Sequence, residues 1–108
     1  YTEAHNNLGS VLREGGRNDE ALAHLIEAIR LDPEYADARN NLGMVLRALG
    51  RLPEALAQFE RALRLDPRSA PAHLNLALTL SLVGRITEAM EHYREARRLN
   101  PAIPELPR

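Results

Sequence analysis

The sequence predicts an all-α fold built from three tandem helix pairs, and three observations support this fold class. Cut at one constant period, the chain falls into repeats 2–35, 36–69 and 70–103, which are identical in 12 of 34 columns. Leucine (19) and alanine (16), both strong helix formers, supply 35 of the 108 residues. Aromatic residues make up only 4% of the chain, which is thin for a β-sandwich or a β-barrel.

The second repeat shows how each repeat divides into two helices. Its first half carries apolar residues at helical spacing, namely Ala38, Leu42, Val45, Leu46 and Leu49. Gly50 ends this helix, since glycine is favoured just past a helix end, and Pro53 suits the first turn of the next one. The second helix ends before Pro67, because a proline disfavours helix in the residue that precedes it. Its apolar stripe is Ala55, Leu56, Phe59, Ala62, Leu63 and Leu65.

Two further sets of repeated residues predict local contacts. Gly9 and Gly43 in the first helices are expected to let the paired helix approach closely, because glycine has no side chain. Each turn between paired helices holds an arginine, whose side chain we expect to bind nearby backbone carbonyls. These arginines are Arg17, Arg51 and Arg85.

The repeat resembles the tetratricopeptide repeat (TPR) family. That family's pattern joins a leucine–glycine pair, a large residue, two alanines separated by an aromatic residue, and a proline. In the second repeat these positions are Leu42, Gly43, Leu46, Ala55, Phe59, Ala62 and Pro67. His5, Arg39 and His73 replace the family's tryptophan. The resemblance covers residues 2–101 and implies a right-handed superhelical solenoid of antiparallel helix pairs, in which each first helix lines a concave groove.

Composition and motifs argue against several classes of function. A net charge of −1 disfavours a dedicated nucleic-acid binder, and no apolar run approaches the roughly 18 residues of a membrane span. Cysteine, a phosphate-binding glycine loop and a His-Glu-x-x-His motif are all absent from the sequence. His5 and His73, like His24 and His92, stand two repeats apart, so we expect packing or surface histidines that do not converge. The sequence therefore predicts no catalytic site, no cofactor and no metal site.

Asparagines recur in the predicted groove. Asn7, Asn41 and Asn75 stand one repeat apart from each other, and helical phase turns them away from the buried face of each first helix. An asparagine amide both donates and accepts, so it can pair with a peptide bond whatever the peptide's side chains are. The column is similar to the asparagine ladder of O-linked N-acetylglucosamine transferases, which implies binding of a peptide backbone. The alternative is that these asparagines bridge adjacent first helices.

The other predicted groove residues extend or flank this column. They are the polar Asn6 and Asn40, the basic Arg13 and Arg47, and the apolar Met44, Leu74 and Leu78. We expect the arginines to engage acidic side chains and the apolar residues to select apolar ones. Alternatively, the arginines are only solvated and the C-terminal tail covers the leucines. The carboxylate clamp of chaperone-binding repeats fits poorly, since only Asn41 matches its pattern, so an acidic C-terminal tail is not the expected ligand.

The two ends of the repeat array differ. Tyr1 aligns with Tyr35, so we expect it to be the last residue of a preceding repeat. Arg97 stands where the other repeats have Ile29 and Leu63, and a terminal repeat needs a polar outer face. The array is therefore expected to end with the third repeat.

The proline-rich tail 104–108 favours extended backbone over a further helix. It is either a linker or disordered end, or a segment whose Ile103 and Leu106 fold back over the last helix or dock into a neighbouring molecule.

These features predict a non-enzymatic scaffold that binds a peptide or helix of a partner protein in its groove. Two alternatives stay open: the chain is the substrate-recruiting arm of a larger enzyme such as a glycosyltransferase, or it self-associates through exposed repeat ends. A nucleic acid is not an expected partner, and no membrane span is expected. All 14 basic residues are arginine, a bias that suggests a GC-rich, bacterial genome.

Overall fold

The computed structural model describes residues 1–106, which form six α-helices and no strand. The helices are α1 (Thr2–Glu14), α2 (Asn18–Leu31), α3 (Ala36–Ala48), α4 (Leu52–Leu65), α5 (Ala70–Leu82) and α6 (Ile86–Leu99). They pack as three consecutive pairs, and the pairs stack through α2 on α3 and α4 on α5. The predicted all-α solenoid is confirmed, and it measures 43 Å along its long axis against 25 and 22 Å across.

Glycine makes the turn inside each pair, as predicted. Gly16, Gly50 and Gly84 have φ angles of 76°, 78° and 83°, in the left-handed region that other residues rarely adopt. After α3, the Gly50 N–H donates to the Arg47 carbonyl at 3.0 Å and the Arg51 N–H to the Leu46 carbonyl at 2.8 Å. This pair of bonds closes the helix end and turns the chain into the second helix.

The arginine that follows each turn glycine pairs with a glutamate rather than with backbone carbonyls, so the predicted carbonyl contact is wrong. Arg51 Nε and Nη2 donate to the two carboxylate oxygens of Glu54 at 3.0 and 2.6 Å. Arg17 with Glu20 and Arg85 with Glu88 repeat the arrangement. Glu54 lies in the first turn of α4, where a carboxylate suits the positive helix end, and the Arg51 hydrogen bond lowers the pKa of this carboxyl.

The small residues sit at the closest helix contacts. A Cβ added at Gly43 would lie 2.6 Å from the Phe59 ring, and one at Gly9 would lie 2.6 Å from the Leu25 side chain. The expected close approach within each pair is therefore confirmed. Phe59 and Leu25 are in turn among the largest fully buried side chains of the core.

The outer face of α1 is open. Leu8 and Val11 are 43% and 63% exposed, whereas their counterparts Leu42 and Val45 are buried in α3, which packs against α2. The sequence predicted a buried face for all three first helices. For α1 that prediction is wrong, because no helix within residues 1–106 packs on this side.

The C-terminal tail folds back over α6 as far as residue 106, as one of the two sequence interpretations expected. Tyr93 Oη donates to the Pro104 carbonyl at 2.5 Å, and Arg97 Nε donates to the Ile103 carbonyl at 3.1 Å. The Arg97 guanidinium also lies 3.4 Å from the Glu105 carboxylate. Arg97, predicted from its polar character to mark the end of the array, thus holds the tail. Residues 107 and 108 of the predicted tail lie outside the described residues.

Candidate functional site

The three first helices, α1, α3 and α5, lie side by side and carry all ten predicted groove residues. Two of these residues are buried, Asn6 and Asn75. Two are exposed, Asn7 and Leu78. The remaining six are half-buried, namely Arg13, Asn40, Asn41, Met44, Arg47 and Leu74.

The groove asparagines link neighbouring first helices. Asn41 Nδ2 donates to Asn6 Oδ1 at 2.9 Å, and Asn75 Nδ2 donates to Asn40 Oδ1 at 3.3 Å. Asn75 is only 8% exposed, so the expectation that helical phase turns it away from the packed face is wrong. These two bonds match the alternative in which the asparagines bridge adjacent first helices. Asn7 and the Oδ1 atom of Asn41 take part in neither bond.

Arg47 is part of the same scaffold. Its Nη2 donates to Asn75 Oδ1 at 3.0 Å, and its Nη1 donates to the Asn75 carbonyl at 3.2 Å and to Thr79 Oγ1 at 3.4 Å. The guanidinium also lies 5.7 Å from the centre of the Phe59 ring, a cation–π distance. Burial, and then the nearby charge of Arg13, lowers the pKa of Arg47. This side chain joins α3 to α5 and uses three of its five N–H donors within the scaffold.

Arg13 holds the equivalent position on α1 and is bonded quite differently. Val45 on α3 occupies the repeat position that Thr79 occupies on α5. Arg47 binds the Thr79 hydroxyl, whereas Arg13 has no hydroxyl to bind at the equivalent place. Its Nε is buried and has no hydrogen-bond partner within residues 1–106. Its nearest carboxylate, on the exposed Glu14, is 3.8 Å from Nη2. Within residues 1–106, Arg13 is therefore the one groove arginine whose Nε is buried without an acceptor.

Apolar side chains gather where α5 meets α6 and the tail. Leu78 is 46% exposed and borders a cavity of about 340 Å³. The same cavity is lined by Ile86, Met90, Tyr93 and Leu106. Met44, by contrast, packs against the hydrophobic core. The predicted apolar end of the groove thus centres on Leu78, and Leu106 of the tail covers part of it.

The histidines converge in two pairs, contrary to the sequence prediction. The Nδ1 atoms of His5 and His24 are 3.0 Å apart, and those of His73 and His92 are also 3.0 Å apart. In both pairs the rings stack with centroids 5.3 Å apart and planes 28° apart. Burial, and then the neighbouring His73, lowers the pKa of His92. Each pair joins the first helix of a repeat to the second helix of the same repeat.

Residues 1–106 hold no group of three or more histidine, cysteine or carboxylate side chains suited to a metal. None of the helices in this range is long and apolar enough to cross a bilayer.

The tetratricopeptide repeat family model matches residues 6–70 and 45–104, which together cover nearly the whole chain. The chain belongs to the TPR family. Its groove is therefore the concave TPR surface, and His5 and His73 occupy the TPR column where the family commonly has tryptophan. No curated protein sequence matches the chain.

Solved TPR structures share the fold. A MamA structure (AMB-1) superposes with a TM-score of 0.82 at 30% identity, over 94% of this chain and 60% of MamA. The Arabidopsis OM64 TPR domain gives 0.90 at 23% identity, over 94% of this chain and 84% of that one. The second TPR domain of Spaghetti (RPAP3), bound to the HSP90 peptide SRMEEVD, gives 0.88 at 18% identity, over 92% of each chain. The chain thus spans about three fifths of the MamA chain.

Proposed function

We propose that this TPR array is a protein–protein interaction module that binds an extended peptide of a partner in its concave groove. The observation that carries the proposal is the buried Nε of Arg13, which has no acceptor within residues 1–106. A buried donor without a partner costs roughly 1–3 kcal/mol, and more when it is charged. The Arg13 side chain as a whole is 24% exposed, so a rotation of this side chain would bring Nε to a carbonyl or carboxylate of a bound peptide and remove this cost.

The neighbouring residues indicate which peptide would fit. Asn7 is exposed on the same helix as Arg13, and the Asn41 Oδ1 is not used in the bond to Asn6. These two amides are suited to the peptide backbone. The exposed Leu78 and the cavity beside it favour an apolar side chain. The ligand we infer is an extended segment that carries an acceptor for Arg13 and an apolar residue for Leu78.

The similar Spaghetti domains bind a peptide that ends in acidic residues, and this chain is not built for the same ligand. The groove columns that a carboxylate clamp needs to be basic hold Asn6, Pro71 and Asn75 instead. Asn75 is also buried and bonded to Asn40 and Arg47. We therefore propose that the preferred peptide binds internally rather than through an acidic C-terminus.

The experiment is a random-peptide display screen followed by calorimetry on the best peptide. Arg13→Ala should weaken binding by about 10- to 100-fold, because a hydrogen bond to a charged group contributes about 1.5–3 kcal/mol. Leu78→Ser should weaken it by several-fold. Arg61→Ala, an exposed residue on α4, is the matched control and should bind like wild type. A dissociation constant that Arg13→Ala and Leu78→Ser leave unchanged would rule out this groove as the site.

A recruiting arm of a larger enzyme, such as a glycosyltransferase, would use the same groove. Binding of a peptide backbone by the asparagine ladder stays a prediction.

Self-association is the second candidate, and the exposure of Leu8 and Val11 favours it. Molar mass measured by light scattering over a concentration series separates the two. Peptide binding by a chain that stays monomeric supports the interaction module, and a rising mass that Val11→Glu abolishes supports self-association.

A further inference from the structure

The two histidine pairs have the geometry of small metal sites. We propose that His5–His24 and His73–His92 each bind one divalent copper or nickel ion through their two Nδ1 atoms. This inference is independent of the peptide groove, because it concerns contacts between the first and second helix inside a pair.

The distance between the two nitrogens suits such an ion. Each Nδ1···Nδ1 distance is 3.0 Å. Two imidazole nitrogens that lie about 2.0 Å from one ion, at the right angle of tetragonal Cu(II) or Ni(II), are separated by about 2.8–3.0 Å. The helices therefore already hold the two nitrogens at the separation that such an ion needs, and rotation of the rings would turn both lone pairs toward it.

The third repeat also orients one of the two ligands. His73 Nε2 lies 3.0 Å from the Pro67 carbonyl oxygen, which can only accept a hydrogen bond. In the neutral ring the proton is therefore on Nε2, and Nδ1 presents its lone pair to His92. A backbone carbonyl that binds the far nitrogen of a metal-bound histidine is a common way to fix the ring. When the ion enters, the His92 proton moves from Nδ1 to Nε2 and both rings stay neutral.

Access and charge at the pairs are compatible with a cation. All four histidines are half-buried, so an ion and its water molecules can reach them. Burial and His73 lower the pKa of His92, which favours the neutral ring that binds a metal, and the nearby carboxylates of Glu91, Glu88 and Glu60 oppose this shift. Since the described residues offer no third histidine or carboxylate in a metal cluster, water completes the coordination and the affinity is moderate.

The middle repeat supplies an internal control. At the same two positions it has Arg39 and Gln58, joined by a hydrogen bond of 3.2 Å from Nη1 to Oε1. Arg39 also donates to the Pro33 carbonyl at 3.1 Å, as His73 does to Pro67. The fold thus accepts a pair of side chains without imidazoles at this place, which provides a substitution that removes the ligands and keeps the packing.

The test titrates tag-free protein with copper(II) chloride alone and with nickel(II) chloride alone, using calorimetry to count the ions. Wild type should bind two ions per chain. The H73R/H92Q variant, which copies the middle repeat, should bind one, and adding H5R/H24Q should leave none. The reverse change, R39H/Q58H, should raise the number to three. Circular dichroism checks that each variant keeps its helices.

Electron paramagnetic resonance of the copper(II) form provides an independent readout, because two equivalent nitrogen ligands give a characteristic splitting. A spectrum with one nitrogen per ion would overturn the proposal. Retention of two ions by a folded H73R/H92Q variant would overturn it as well, and so would a folded R39H/Q58H variant that binds no third ion.

Discussion

Arg13 and Arg47 occupy equivalent positions in two repeats, yet their surroundings give them different roles. Arg47 donates to the Asn75 side chain and backbone and to Thr79, so it fixes α3 against α5. Arg13 has Val45 at the position equivalent to Thr79, and its buried Nε has no acceptor within residues 1–106. The Arg47 bonds to Asn75 are not repeated between Arg13 and the equivalent Asn41, so Arg47 stabilises the scaffold whereas Arg13 is left for a ligand.

This difference predicts unequal costs for the same substitution. Arg47→Ala should lower the free energy of unfolding by about 1–3 kcal/mol, because it leaves the buried Asn75 Oδ1 without its donor. Arg13→Ala, the matched control, should cost less than about 1 kcal/mol, since no hydrogen bond of its Nε is lost. Urea unfolding followed by circular dichroism measures both, and equal costs would contradict the assigned roles.

Residue contacts between helices were the part of the site that the sequence predicted least well. Helical phase orients a residue on its own helix but does not reveal what the neighbouring helix brings against it, so the burial of Asn75 was missed.

The histidine pairs did leave a signal in the sequence. The spacing from His5 to His24 equals the spacing from His73 to His92, and Arg39 and Gln58 hold the same two columns in the repeat between them. A polar residue in both columns of every repeat indicates that the two columns face each other. Each histidine recurs in its own repeat column, and this recurrence alone does not show that the two columns face each other.

At the scale of helices, most boundaries followed from local chemistry. The glycine after each first helix and the proline after each second helix were sufficient to predict where the helices end, because each acts through the backbone of its own turn. The arginine–glutamate pairs at the start of each second helix were missed, although their i, i+3 spacing is visible in the sequence. Both partners are about half exposed, so each pair adds little stability.

Close packing of paired helices predicts opposite effects for two glycines. Gly43→Ala should lower the free energy of unfolding by about 1–3 kcal/mol, because the new methyl group would lie 2.6 Å from the buried Phe59 ring. Gly15→Ala should be neutral or stabilise by up to about 1 kcal/mol, since its nearest neighbours are 3.6 Å away and its φ is −81°. Thermal unfolding of the two variants checks the prediction, which fails if both destabilise alike.

At the scale of the whole molecule, the repeat predicted the architecture because each helix pair contacts only its neighbours. The same property explains what repetition could not predict. The outer faces of α1 and α6 are not covered by a further helix pair within residues 1–106, so the exposure of Leu8 and the course of the tail depend on contacts that do not recur in the repeat. Tyr93, Arg97 and Glu105 supply those contacts at the C-terminal end.

Removal of the tail tests its role as a cover for α6. Deletion from Ile103 onward should lower the free energy of unfolding by about 1–3 kcal/mol, because it removes two hydrogen bonds and an ion pair. It should also promote association at high concentration by uncovering the apolar cavity beside Leu78. Urea unfolding and light scattering report the two effects. Glu105→Gln, which removes only the ion pair, should change neither measurably.

The hydrogen bonds Asn41–Asn6 and Asn75–Asn40 lie only between first helices, and therefore only along the inner wall of the groove. They resist separation of the first helices along that wall, and the outer wall has no equivalent pair of asparagine bonds within residues 1–106. A ligand that takes over one of these amides releases that constraint locally. Peptide binding and bending of the array are then coupled by one free energy. A force that straightens the solenoid weakens peptide binding by this amount, and a bound peptide opposes straightening by the same amount.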